Sequence, residues 1–195
     1  MRQNAITKIA PPNRCGRNGQ SYRVAELDRP GVQSDVGQGS DPRQAAADRL
    51  TQAAQAAYDR YSQDCSHAVW EVLKQLVNPG ETYRTANDLM AEVARPGSGW
   101  RKVSMDEAAA QANAGRVAIA GRTDLKDSGH VEVVLPGKYR PAGGFLGLPL
   151  SKELYPPVMS GSSSGYQGAM SRGEKTVRDA WRAEDWRDVT FWVHD

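Results

Sequence analysis

Between residues 42 and 115 the apolar positions recur every three or four residues, and from 116 onward they alternate or cluster in short runs. "PRQAAADRLTQAAQAAYDRY" sets Ala46, Leu50, Ala53, Ala57 and Tyr61 on one stripe, which predicts an amphipathic helix opened by Pro42. A second stripe, Val69, Val72, Leu73 and Leu76, follows the stretch "YSQDCSHAVW", and "NPG" at Asn78 to Gly80 predicts its end. Thr85 can cap a third helix running to Ala94, with Leu89, Met90 and Val93 on its apolar side. "SMDEAAAQANAG" pairs Ser104 with Glu107 in a capping box and stops at Gly115.

The later half reads differently. "RVAIAG" (116–121) and "HVEVVL" (130–135) are short, rich in β-branched residues and bounded by Gly, Asp and Pro, which predicts two strands joined by "RTDLKDSG". "PPVMSGS" (156–162) and "DVTFWVH" (188–194) predict further strands, and "EKTVRDAW" between them a short helix buried through Val177, Ala180 and Trp181. Helices first and then mostly sequential strands imply an α+β domain, its N-terminal helices packed on an antiparallel sheet. Residues 1–41 have no sustained period, and "DRPGVQSDVGQGSDP" has linker composition. The expected organisation is a flexible or extended arm over 1–41 and one domain over 42–195.

Composition narrows the function classes. The chain carries 25 basic and 23 acidic side chains and a net charge of +2, too balanced for a nucleic-acid groove or a polybasic membrane patch. No apolar run approaches the roughly 20 residues that span a bilayer, so no membrane insertion is expected. "MRQNAITKIAPPNRCG" lacks the apolar stretch of a secretory signal, so synthesis and folding in the cytoplasm are expected. Cys15 and Cys65 lie in unrelated contexts, and both are expected as free thiols, Cys15 without chemistry. Three scattered histidines give no metal-ligand spacing, and "GSSSG" lacks the Lys and helix of a phosphate-binding loop, so no cofactor is implied.

Cys65 falls four residues before Val69, on the buried face of its helix at the first turn, with Asp64 as the natural cap. Unpaired amides and the helix dipole there favour an anion, and such positions lower thiol pKa values from about 8.5 to as little as 3.5–7.5. Cysteine is also among the residue types most often buried without chemistry, so position alone leaves both readings open. A nucleophilic thiol needs a base. His67 points to another helix face and is expected at the surface or rim; His194 is expected to be structural. His130 opens a strand and shares one face with Glu132 and Val134, so it can meet the thiol if the cysteine helix packs across that face.

"DCSHAVWEVL" followed by "GHVEVVLPG" resembles the Cys-helix and His-strand signature of papain-like, NlpC-type cell-wall peptidases, and more narrowly the type VI secretion amidase effectors. "TANDLM", "GWRKVS", "AIAG", "YPPVMSGSSSG" and "VRDAWRAEDWRDVTFWV" follow in the family's order, so the likeness covers residues 44–195. The resemblance implies Cys65 as nucleophile, His130 as base and, on the next strand, Ser160 (or else Ser162) as the group orienting the imidazole. It implies hydrolysis of the peptidoglycan stem peptide, commonly at the γ-D-glutamyl–meso-diaminopimelate bond, with the Cys65 backbone N–H as an oxyanion donor. Asp64 beside the thiol, and Arg122, Lys126 and Asp127 in the loop before His130, are candidates for substrate contacts; solvated loop charge is the competing reading of that loop. His67 and Glu132 stand where the family usually has small residues, and are expected to reshape the cleft mouth. Implied partners are a cognate immunity protein and a secretion apparatus that carries the toxin to the periplasm of a target bacterium. Two other classes remain open at this point: a papain-like hydrolase or acyltransferase acting on a cytoplasmic protein or lipid, and a non-catalytic binding module.

Overall fold

The computed structural model describes residues 41–124, 126 and 128–195. The expected arm therefore lies outside the described residues except for Asp41, which belongs to the domain. Its carboxylate accepts the Arg43 N–H and caps helix α1 (Pro42–Tyr61). Ala47, Ala53, Ala54 and Ala57 give α1 a smooth buried stripe around Leu50, so α2 (Cys65–Leu76) can lie close against it. Helix α2 buries Ala68, Val69, Val72 and Leu73; full burial of each valine contributes roughly 1.5–3 kcal/mol. It ends at Leu76, just before the "NPG" stop, where the Val77 and Asn78 amides both fold back onto the Leu73 carbonyl. Helix α3 (Ala86–Val93) is capped by Thr85 as expected, and α4 (Met105–Asn113) by Ser104, whose hydroxyl accepts the Glu107 N–H.

Six strands make one antiparallel sheet: β1 (Trp100–Val103), β2 (Ala118–Arg122), β3 (His130–Val134), β6 (Pro157–Ser160), β7 (Ser171–Thr176) and β8 (Thr190–His194), in the order β1-β8-β2-β3-β6-β7. Two-residue strands β4 (Arg140–Pro141) and β5 (Leu154–Tyr155) pair separately. The α+β class and the N-terminal helices against an antiparallel sheet are as expected. The strands are less sequential than expected, since β8 enters between β1 and β2. All four predicted strands are present; three are trimmed by a residue or more, and the strand expected over 116–121 starts at Ala118 and runs on to Arg122. The predicted helix over 174–181 is not. Residues 174–176 belong to β7, and only Val177–Ala180 turn, as a single 3₁₀ turn. Asp179 tightens that turn by accepting both the N–H and the hydroxyl of Thr176 at 2.8 Å, so the chain leaves β7 and reverses within four residues.

The site is positioned by one interruption in this sheet. Strands β3 and β6 pair only at Val133–Met159 and Val134–Val158. Beyond these pairs the head of α2 meets the sheet. The Ser162 N–H donates to the Ser62 carbonyl, and Gly161 lies so close to the α1–α2 turn that a Cβ there would sit 2.8 Å from the Tyr61 oxygen and 3.1 Å from the Asp64 backbone. On the other side, Asn87 of α3 clasps the loop before β3, donating to the Asp124 carbonyl and accepting from the Asp124 N–H, both at 2.9 Å. Gly129 admits this clasp, since a Cβ would come within 2.4 Å of the Asn87 oxygen.

Candidate active site

Cys65 is the first residue of α2, and the expected cap is in place: Asp64 Oδ1 accepts the His67 N–H at 3.0 Å. The backbone amides of Val131, Ser66 and Cys65 itself lie where they favour the Cys65 thiolate. The thiol thus lies near β3, and Cys65 borders the same depression as His130.

The helix-terminus argument for a low thiol pKa fails here. Burial pushes the Cys65 thiol up, and the Asp64 carboxylate beside it adds to the rise; together they outweigh the three amides. Burial also pushes His130 down, to about 4. Both shifts favour the uncharged forms, thiol and imidazole, at neutral pH.

His130 Nε2 and Ser160 Oγ are 2.9 Å apart. Ser160 is completely buried at the end of β6, so the bond holds the ring by one nitrogen and leaves Nδ1 unclaimed by it. The ring is further fixed by Trp181, edge-on with centroids 5.0 Å apart. Ser162, the weaker candidate for this role, bonds Ser164 instead.

Two depressions meet at Cys65. One, of about 430 Å³, is lined by Cys65, His130, Arg122, Ser162, Trp181 and Arg182 among others. The other, of about 330 Å³, runs toward Asp64, Tyr83, Thr85 and Asn87. Cys65, Ser128, Gly129 and Ser163 border both, so the two depressions adjoin at Cys65 and form a groove with this residue in its wall.

The remaining predicted residues divide. Arg122 faces the groove, but Asp185 at 3.2 Å and Asp124 at 3.5 Å neutralise its guanidinium. Asp64 also lines the groove, yet its oxygens are engaged by the His67 N–H, His67 Nδ1 at 2.7 Å and Ser66 Oγ at 2.8 Å. Lys126 is exposed and borders neither depression, and Asp127 lies outside the described residues. His67 is partly exposed but borders neither depression, and it stacks against Tyr61 and Tyr83 at centroid distances of 5.4 and 3.9 Å. Glu132 does not touch the cleft mouth. It is fully buried, and its Oε1 accepts the Trp181 indole N–H at 2.9 Å. His194 closes β8 against Trp100, a structural place as expected.

Sequence reasoning missed Tyr83, Ser163 and Arg182 as groove residues. None carries a local signal; each arrives from a different loop. Among the described residues no three His, Cys, Asp or Glu side chains are disposed to hold a metal ion, and no helix is long and apolar enough to cross a membrane. No protein-family model matches this chain, and no curated protein is similar to it.

Proposed function

We propose that this chain is a cysteine peptidase or amidase of papain-like, NlpC-type character, acting on the stem peptide of peptidoglycan. The observation that carries the reading is the groove that brings Cys65 and a His130 held by Ser160 to one surface. In this reading His130 Nε2–H donates to Ser160, and Nδ1 takes the Cys65 proton as sulfur attacks the carbonyl carbon. The neutral resting pair suits this order, since the base is unprotonated when the substrate arrives. In this reading the developing oxyanion lies at the α2 terminus, with the Cys65 N–H as its donor; one such donor is typically worth about 10²–10³ in rate. His130 then returns the proton to the leaving amine, and a water, deprotonated by His130, cleaves the thioester and restores the thiol.

A groove that extends to both sides of Cys65 suits a bond inside a chain, with residues held before and after it. Arg182, exposed at the rim and without an ion pair among the described residues, is the cation best placed for a substrate carboxylate. The γ-D-glutamyl–meso-diaminopimelate bond and action in the periplasm of a target bacterium, with an immunity protein and a secretion apparatus as partners, complete the reading on the resemblance alone.

One observation favours a second reading, an acyltransferase or lipid hydrolase built on the same pair. A depression of about 480 Å³ lined by Phe145, Leu148, Leu150 and Tyr155 adjoins the groove through Tyr166, Trp181 and Arg182. The test is digestion of purified sacculi by the full chain, with released fragments identified by mass. Shortened muropeptides from the native protein and none from Cys65→Ala support the amidase. No release, with Cys65-dependent cleavage of an acyl thioester or ester, moves the assignment to the second reading.

A further inference from the structure

Glu132 is used by nothing in that mechanism, yet it lies two residues from His130 on the same face of β3. It is completely buried. Oε1 holds the Trp181 indole N–H, and Oε2 has no partner among the described residues. A buried carboxyl with an unpaired oxygen is costly, and an apolar side chain of the same volume would fill the space without that cost. The carboxyl is tolerable as a neutral acid, and burial holds it so, with the Asp179 carboxylate nearby pushing the same way. Its one bond falls on the residue that forms both a wall of the groove and the edge contact to the imidazole.

We propose that Glu132 is a positioning residue, whose carbonyl oxygen fixes the Trp181 indole and through it the plane of the His130 ring against the Cys65 thiol. This rests on the reading of Cys65 and His130 as a working pair. Trp181 otherwise reaches the imidazole only by an edge contact, which constrains the ring only while the indole keeps one rotamer; the bond from Nε1 to Glu132 sets that rotamer. A neutral acceptor is the form the role requires, because a charge at this depth would act on the imidazole directly.

The test follows the alkylation of Cys65 by iodoacetamide against pH, in full-length Cys15→Ser protein, with cleavage of muropeptides measured alongside. Assistance by a well-placed imidazole raises the rate at pH 6–7 and has no effect once the thiol ionises unaided. Glu132→Gln, which keeps the acceptor, retains the native profile within about twofold. Glu132→Met and Trp181→Phe lose about tenfold at pH 6–7, converge on the native rate at high pH, and lower kcat on muropeptides rather than raise KM. Combining them costs no more than either alone. Folded Met and Phe variants with the native profile would overturn the proposal, as would a Gln variant that behaves like Met. If Met prevents folding, Trp181→Phe decides. A His130→Ala protein whose profile matches the native one removes the Cys65–His130 pair itself, and that outcome is separate from native-like Met and Phe profiles beside an altered His130→Ala one.

Discussion

The two flanks of Cys65 are built on opposite principles. On the helix flank, Asp64, Ser66, His67 and Tyr83 form a half-exposed polar network closed within 20 residues of chain. On the sheet flank, His130, Ser160, Trp181 and Glu132 come from three separate segments, and their polar atoms are largely withdrawn from water. Polar groups on the first flank are strengthened only modestly by their surroundings, and their loss is partly made good by solvent. On the second, each polar contact is made in a poor solvent, so its geometry is enforced and its loss is uncompensated. On the proposed reading the chemistry belongs to the second flank, and the first bears on the state of the thiol.

The largest effects are therefore expected from the reacting pair and the sheet flank. Cys65→Ala is expected to abolish turnover, and His130→Ala to lower it by about 10²–10⁴, the usual range for a general base. Ser160→Ala releases one ring nitrogen and is expected to cost about tenfold in kcat, with KM little changed. Steady-state kinetics on muropeptides checks all three. If Ser160→Ala and His130→Ala are equal, the hydroxyl is part of the reacting set rather than a support for the ring.

Next come the contrasting pH dependences of the two buried titratable groups. His130 is held near 4, below its ordinary 6.5, so between those values the unfolded chain binds the extra proton. Its contribution to stability is complete above 6.5 and is lost as pH falls through about 4, amounting to roughly 3 kcal/mol at about 1.4 kcal/mol per pKa unit. Activity falls over the same acid limb, because the imidazolium cannot take the thiol proton. Glu132 runs the other way: its carboxyl stays protonated in the fold well above 4.5, so stability falls as pH rises past that value. Glu132→Gln removes this dependence. Denaturant melts of the two proteins should then coincide near pH 4 and separate toward pH 8, with the Gln variant the more stable. A gap that stays constant with pH would show that Glu132 is not held neutral.

The joint between the flanks gives the next effect. At Gly161 a Cβ would press on backbone of the α1–α2 turn, which cannot yield as a side chain tip can. Gly161→Ala is expected to destabilise by about 1–3 kcal/mol, the range for overpacking, and to lower activity beyond what its melting temperature accounts for. Thermal melts paired with turnover at a temperature where both proteins are folded separate the two effects.

The same contrast explains how much could be read in advance. Helix α2, its Asp64 cap and the buried stripe from Cys65 to Val72 are local, set by residues three and four apart, and the sequence carried them. The His130 strand was equally plain. The direction of the thiol's shift was not, because it depends on how deep the strands place the sulfur. Strand β7 was hidden because its polar "SRGEKT" shows no alternation of apolar and polar positions, and it borders the sheet with only Ser171 and Thr176 buried. Glu132 read as a cleft residue since an acidic side chain is seldom fully buried; only its bond to Trp181, 49 positions away, shows otherwise.

The smallest effect tests the helix flank by itself. Asp64 both caps α2 and, by its charge, helps keep the Cys65 thiol protonated. Asparagine caps about as well as aspartate, so Asp64→Asn leaves the His67 N–H satisfied and changes mainly the charge. The thiol pKa then falls, and alkylation of Cys65 at pH 7 is expected to rise by about two- to fivefold, less at high salt than at low because Asp64 is partly solvated. Asp64→Ala makes a control: it removes the same charge but also the cap, at about 1 kcal/mol. If the two variants alkylate alike and melt apart, charge governs the thiol and capping governs the helix. If Asn leaves the rate unchanged, burial alone sets the thiol, and the helix flank is scaffold only.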